Sequence, residues 1–147
     1  MPQSLSPRLR AVVDALPLSP GLRVLEIGGA PGSAARAVAQ RVAPGGYVLV
    51  VDRSGVGVQQ TLHNGASEVR AGLLGARCSA IEEFMLEPAQ DPFDLAFACR
   101  VGALDGRYPE LFDTALERIR AALRPGGRLF VDTGTPLREV PLGQRDA

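Results

Sequence analysis

Five consecutive positions, Tyr47-Val48-Leu49-Val50-Val51, are apolar with no polar residue between them. A strand with one wet face alternates in polarity, whereas an unbroken apolar run must be covered on both sides, as in an inner strand of a parallel sheet. Such a strand demands helices on each face of its sheet, and the chain supplies them in alternation. Leu22 to Ile27 precedes it as a strand, and Phe93 to Cys99 and Arg128 to Asp132 follow. Between these runs the period changes to that of a helix. Leu9, Val12, Val13 and Leu16 form one stripe, opened by Ser6-Pro7 and stopped by Pro17 and Pro20-Gly21. Ala34, Val38 and Val42 form a second, ended by Pro44-Gly45-Gly46. Phe112, Leu116, Ile119 and Leu123 form a later one, opened by Pro109 and ended by Pro125-Gly126-Gly127. The middle of the chain is less sharply marked. Val58, Leu62, Ala66 and Val69 predict a helix from Val58 to Ala71, Ala76 to Ser79 a short third strand, and Ala80 to Met85 a helical turn or two.

This alternation implies βαβ units with right-handed crossovers, hence an α/β fold with a doubly wound, mostly parallel sheet. At 147 residues the chain is one domain. We expect it to span residues 1–135 and to include the N-terminal helix, leaving a loosely held tail over 136–147 in which Leu137 to Val140 supplies at most one short strand.

The 16 bases, all arginine, balance 16 acids, so no global field draws the chain to nucleic acid or an anionic membrane. No apolar stretch approaches the ~20 residues that cross a bilayer, and the N-terminus lacks a basic flank and apolar core, so the expected location is cytoplasmic. Cys78 and Cys99 suit neither a disulfide scaffold nor a paired-cysteine metal site, and each is expected as a small core residue. No metal is expected.

In a doubly wound sheet, ligands bind beyond the carboxyl ends of the strands, where the strand order reverses. The segment Val24-Leu25-Glu26-Ile27-Gly28-Gly29-Ala30-Pro31-Gly32-Ser33 lies there: a strand, a glycine loop and the start of a helix. Glycine lets a ligand approach the main chain, and the first N–H groups of the helix are free donors. Asp52, ending the second strand, is placed to bind ribose hydroxyls. A dinucleotide site wants G-x-G-x-x-G/A, but Gly28 to Ser33 departs from it at the third and sixth positions. Glu26 would also repel phosphates, whereas an ammonium and a sulfonium would welcome it. The other reading of Glu26 is a strand acid paired with an arginine.

From Leu22 to Asp132 the chain resembles the class I S-adenosylmethionine-dependent methyltransferases. Glu26 to Gly32 is similar to the family's first motif, acid-x-G-x-G-x-G, with Ala30 for the middle glycine. Val50-Val51-Asp52-Arg53-Ser54 resembles the second-strand motif, Asp91 to Phe97 the approach to the fourth strand, and Leu123 to Val131 the turn into the fifth. The resemblance implies strand order 3-2-1-4-5 in a short member lacking most of the C-terminal hairpin, with S-adenosylmethionine as cofactor. It implies that the main chain of Gly28, Gly29, Ala30 and Gly32 cradles the methionine moiety, with Glu26 near its amino group. Asp52 would hold the ribose, and Arg53 or Ser54 would border the adenine. Ser79 and Ala80 stand where the family often has Asp-Ala, so Ser79 replaces the acid that receives the adenine amino group. Ala98 and Cys99 would floor the site.

A sulfonium needs little activation, so orientation dominates catalysis and no general base is identified. His63 falls on a helix away from the cleft. Arg100 follows an apolar strand and is costly there unless it meets an anion, either substrate or Asp105; Asp105 and Tyr108 share its loop. The reading is methyl transfer by in-line displacement to a small-molecule acceptor, with no nucleic acid or membrane partner. Two alternatives stay open: a non-catalytic cofactor-binding or partner subunit, and a nicotinamide-dependent oxidoreductase. A fifth strand at a sheet edge invites pairing, so a homodimer is expected.

Overall fold

The computed structural model describes residues 5–143. Ser6 accepts a hydrogen bond on its hydroxyl from the Leu9 amide, 3.2 Å, and opens helix α1 (Pro7–Ala15). Then follow β1 (Arg23–Ile27), α2 (Ser33–Val42), β2 (Tyr47–Asp52), α3 (Gly55–Asn64), α4 (Ala66–Arg70) and β3 (Leu74–Cys78). After a 3-10 turn at Ile81–Glu83 come β4 (Phe93–Ala98), α5 (Gly102–Asp105), α6 (Phe112–Ala122), β5 (Leu123–Val131) and β6 (Arg138–Val140). The strands form one sheet in the order β3-β2-β1-β4-β5-β6, parallel except for the last pair. The order reverses between β1 and β4, as expected of a doubly wound sheet.

Strand β2 is buried on both sides as its composition demands. Val48 and Val50 face a layer built from Val12, Val13 and Leu16 of α1 and Ala34, Ala35, Val38 and Val42 of α2. Leu49 and Val51 face Ile81, Phe84 and the Ala115–Ile119 face of α6. Phe97 of β4 is fully buried in the first layer.

Three local readings change. The predicted helix over Val58 to Ala71 begins earlier, at Gly55, because the Ser54 hydroxyl caps it by accepting from the Gly57 amide at 3.0 Å. It is broken at Gly65 into α3 and α4. A cap and close packing thus outweigh the poor helix propensity of Gly55 and Gly57: a Cβ on Gly57 would stand 2.7 Å from Ala30 Cβ, so glycine lets α3 lie against the loop after β1. The Pro125-Gly126-Gly127 turn lies within β5 as an irregularity. Leu123 pairs with Phe93, and pairing resumes at Arg128 opposite Leu95. Finally, Arg138–Val140 is no loose tail. It pairs antiparallel with Leu129–Val131 and buries Val140, so the expected boundary at 135 falls inside the β5–β6 hairpin. Residues 144–147 of that expected tail lie outside the described residues. With β6 covering β5, the argument for a homodimer from a bare β5 edge no longer applies.

The sheet is the support of everything at its carboxyl end. Phe97→Ala should cost about 3–5 kcal/mol in urea unfolding, the range for truncating a fully buried aromatic.

Candidate cofactor site at the carboxyl end of the sheet

The loop after β1 is bound to the neighbouring strand before any ligand arrives. Gly28, at φ +73°, donates its amide to Val51 O at 2.7 Å. A Cβ there would reach 2.8 Å from Val101 Cγ2. Asp52 completes the tie, because Oδ2 accepts from the Ala30 amide at 3.2 Å and Oδ1 from the Ser54 amide at 2.9 Å. Gly32, at φ +101°, ends the loop against Thr61 of α3 and leads into α2, whose first turn carries no side-chain cap.

Two hollows flank this loop and share Gly28 and Arg100. The first, about 320 Å³, runs past Asp52, Arg53, Ser79 and Ala80 toward Val101 and Tyr108. The second, about 260 Å³, lies behind the loop and is lined by Arg8, Glu26, Gly29, Ala30 and Cys99. Of the residues expected at the site, Asp52, Arg53, Ser79, Ala80 and Tyr108 border the first hollow, and Glu26, Gly29, Ala30 and Cys99 the second. Gly32, Ser54, Ala98 and Asp105 border neither of the two. Ser54 is spent as the cap of α3, Ala98 is buried beneath the site, and Asp105 lines a separate depression beside Phe112 and Arg138. His63 is exposed on α3.

Glu26 is the anomaly of the site. It is 2 % exposed, and its Oε1 has no hydrogen-bond partner among the described residues. The arginine partner that a strand acid would need is absent there too. Burial, and then the Asp52 carboxylate, push its pKa up to about 8. Gly29 exists to accommodate it, since a Cβ at that position would overlap the Glu26 carboxyl group.

The cysteines separate. Cys78, expected in the core, is exposed, because β3 is an outer strand whose cover runs out toward its end; its thiol donates to Arg53 O at 3.6 Å. Cys99 is half-buried at the second hollow, and burial, with Glu26 and Asp132, pushes its thiol up to about 12, so it is neutral and a poor nucleophile.

Arg100 does not pair with Asp105. That acid takes Arg107 instead, at 2.9 Å, two residues along the same loop. Arg107 also donates to Arg100 O at 2.7 Å, and the Arg100 amide donates to both Asp132 oxygens at 3.2 Å. These bonds hold Arg100 at φ +56°, a costly conformation for a non-glycine residue. Its guanidinium has no ion pair or hydrogen bond among the described residues. Sequence reasoning missed Arg8, which reaches the site from α1, and Glu82, which borders the first hollow from the 3-10 turn. No motif marks either one.

No family model matches the chain. It is 33 % identical over 120 residues to the ribosomal RNA large subunit methyltransferase E of Syntrophobacter fumaroxidans, covering 75 % of this chain and 56 % of that protein. It is 34 % identical over 121 residues to the enzyme of the same name from Sorangium cellulosum, covering 75 % and 51 %. The chain thus spans about half the length of the curated relatives it matches. Among solved structures, the fold is shared with a methyltransferase from Thiobacillus denitrificans crystallised with S-adenosyl-L-homocysteine. The TM-score is 0.65 at 19 % identity, over 89 % of this chain and 50 % of that one. The chain has the Rossmann-like fold of the S-adenosylmethionine-dependent methyltransferases and is similar in sequence to two methyltransferases over three quarters of its length.

Because its pKa is raised above the unfolded value of 4.5, Glu26 holds a proton in the folded state up to about pH 8. Its contribution to stability is present below the unfolded value and is lost as pH rises through the folded one. Glu26→Gln should therefore stabilise the ligand-free protein above about pH 8 by about 1–3 kcal/mol and flatten the decline between these values, read as thermal midpoints of the two proteins across pH.

Proposed function

We propose that this chain binds S-adenosylmethionine across the two hollows and transfers its methyl group to an RNA acceptor. The observation that carries the cofactor reading is the buried Glu26 carboxyl, with Oε1 unpartnered among the described residues, beside Gly28 and Gly29, where a Cβ would crowd Val101 and Glu26. An acid left without a partner in a closed strand is an expense that a cationic ligand relieves, and a pyrophosphate would aggravate it. The nicotinamide alternative is disfavoured on that ground.

The residues present match the ligand group by group. Gly28 and Gly29 give the amino-acid end its close approach, with Glu26 opposite the amino group. Asp52 keeps lone pairs for ribose hydroxyls while its oxygens hold Ala30 and Ser54. The Ser79 hydroxyl donates to Ala80 O at 2.9 Å, so what it has left for a ligand is an acceptor, as an adenine amino group requires. Of the two residues considered for the adenine border, Ser54 is spent as a helix cap and Arg53 is available. When bound, the cofactor supplies a methyl on a sulfonium with a neutral thioether as leaving group. The chain's task is then to hold the acceptor in line and keep water out, an effect worth ~7–11 kcal/mol at its best.

Zero net charge argues for a small acceptor, but two considerations favour RNA. Both curated relatives are named for ribosomal RNA methylation, and Arg8, Arg53, Arg100 and Arg107 border the hollows of an otherwise balanced chain. Titration calorimetry with S-adenosylhomocysteine tests the cofactor, and transfer of a labelled methyl group to RNA or to a panel of small molecules tests the acceptor. NADH binding without S-adenosylhomocysteine binding would overturn the first part. Labelling of small molecules but not RNA would overturn the second, and binding with no transfer to either would favour the non-catalytic reading. Asp52→Ala should weaken S-adenosylhomocysteine binding by about 1.5–3 kcal/mol while the protein stays folded by circular dichroism.

A further inference from the structure

We propose that the depression between α5, the start of α6 and the β5–β6 hairpin holds the nucleotide that flanks the acceptor in an RNA strand, with Arg138 on its phosphate and Phe112 against its base. This inference rests on the RNA reading above and adds to it a second site, outside both cofactor hollows. The depression has a volume of about 510 Å³, within the ~300–1,000 Å³ usual for small-ligand pockets. Ala103, Leu104, Pro109 and Phe112 make it apolar, and the exposed Thr133 and Arg138 add its polar wall. It meets the first hollow at Ala103. The loop after α5 divides the two, with Gly106 and Pro109 bordering the depression and Arg107 and Tyr108 the hollow. A strand laid across that loop places successive nucleotides on its two sides.

The charges around the depression select an anion. Arg138 donates from Nε to the Thr133 hydroxyl at 3.3 Å, which holds its head there and leaves both Nη groups without a hydrogen bond or ion pair among the described residues. The acids of the same loop and hairpin are already taken. Asp105 pairs with Arg107 at 2.9 Å and Glu139 with Arg128 at 2.7 Å, while Asp132 accepts from the Arg100 amide and from Arg8. The planar guanidinium fork matches a phosphate. Phe112, half-buried against the core, offers an apolar aromatic surface, the kind on which unstacked bases of single-stranded RNA are held. Across the loop, Arg100 borders the first hollow with its own guanidinium unpaired, so such a strand meets a cation on each side.

The test is the anisotropy of a labelled, mixed-sequence single-stranded RNA across a salt series, with the full chain and S-adenosylhomocysteine present. Arg138→Gln should weaken RNA binding about 10-fold or more and lower the slope of log affinity against log salt by about 0.7, the share of one phosphate. Its affinity for S-adenosylhomocysteine, read by calorimetry, should not change. Arg70→Gln is the control, an exposed arginine on α4, which leads into the opposite end of the sheet. Photocrosslinking with RNA containing 4-thiouridine should map to the segment that holds Pro109 and Phe112. An Arg138→Gln protein that binds RNA like the parent, or an equal loss in Arg70→Gln, overturns the site and leaves the RNA reading intact. Crosslinks found only elsewhere also overturn it. Micromolar binding of uridine 5′-monophosphate that Arg138→Gln abolishes would make the depression a site for a free nucleotide and overturn the flanking role. A parent that binds S-adenosylhomocysteine but no RNA overturns both this inference and the RNA reading.

Discussion

Strand β1 lies between β2 and β4 and is covered on both faces, and the chemistry of the site follows from that position. Every side chain from Val24 to Ile27 is buried there, so the Glu26 charge is desolvated although the residue lines the second hollow. A buried carboxyl without a cation holds its proton, and the neighbouring Asp52 reinforces the effect. The glycine loop is built to this requirement, since Gly29 must lack a side chain for the Glu26 carboxyl to fit at all. The first strand thus fixes the shape of the loop and sets a buried, protonated acid beside it.

Strand β2 supplies the second restraint. Its end holds the loop at two points, Val51 O to the Gly28 amide and Asp52 Oδ2 to the Ala30 amide, so the loop does not depend on a ligand for its form. Preorganisation of this kind lowers the ordering cost of binding. The fourth and fifth strands supply a third. Asp132 beyond β5 fixes the amide of Arg100 beyond β4, and Arg107 fixes its carbonyl, so a strained residue faces the gap between the two hollows. Strain at this point, with the arginine head left unpaired, fits a group kept for something that arrives from outside.

The sequence made the alternation of strands and helices legible because two-faced burial has a compositional mark, as in Tyr47 to Val51, and because proline and glycine punctuate the helix ends. It made Glu26 and Gly28 legible because they sit in one local motif, and Asp52 because it ends the next apolar run. It did not reveal the fate of Cys78, whose exposure depends on β3 being an outer strand with sparse cover near its end. Nor did it reveal that Asp105 prefers Arg107 to Arg100, a choice made by the loop's own turn. The strand at Arg138–Val140 was half visible. Three residues between prolines carry little pattern, and what holds them is pairing with β5 together with the burial of Val140. Arg8 was invisible, because on α1 it looks like Arg10, and only the packing of α1 over the sheet separates them.

A local conflict between a residue and its surroundings is most informative when the rest of the structure is consistent. Here the core layers, the caps and the sheet register agree with one another, and the irregular features gather in one place: Glu26 with an unpartnered Oε1, Arg100 in a left-handed conformation, and Arg8 reaching in from α1 to Asp132 at 3.4 Å. The first two cost the ligand-free protein something, and all three lie around one pair of hollows. A ligand with a cationic amino group relieves the first, and an anionic group offers the arginines a partner that the chain itself withholds. The buried acid and the strained main chain thus stand at the carboxyl end of the sheet, where the fold reverses its strand order, and the proposed cofactor site rests on that coincidence.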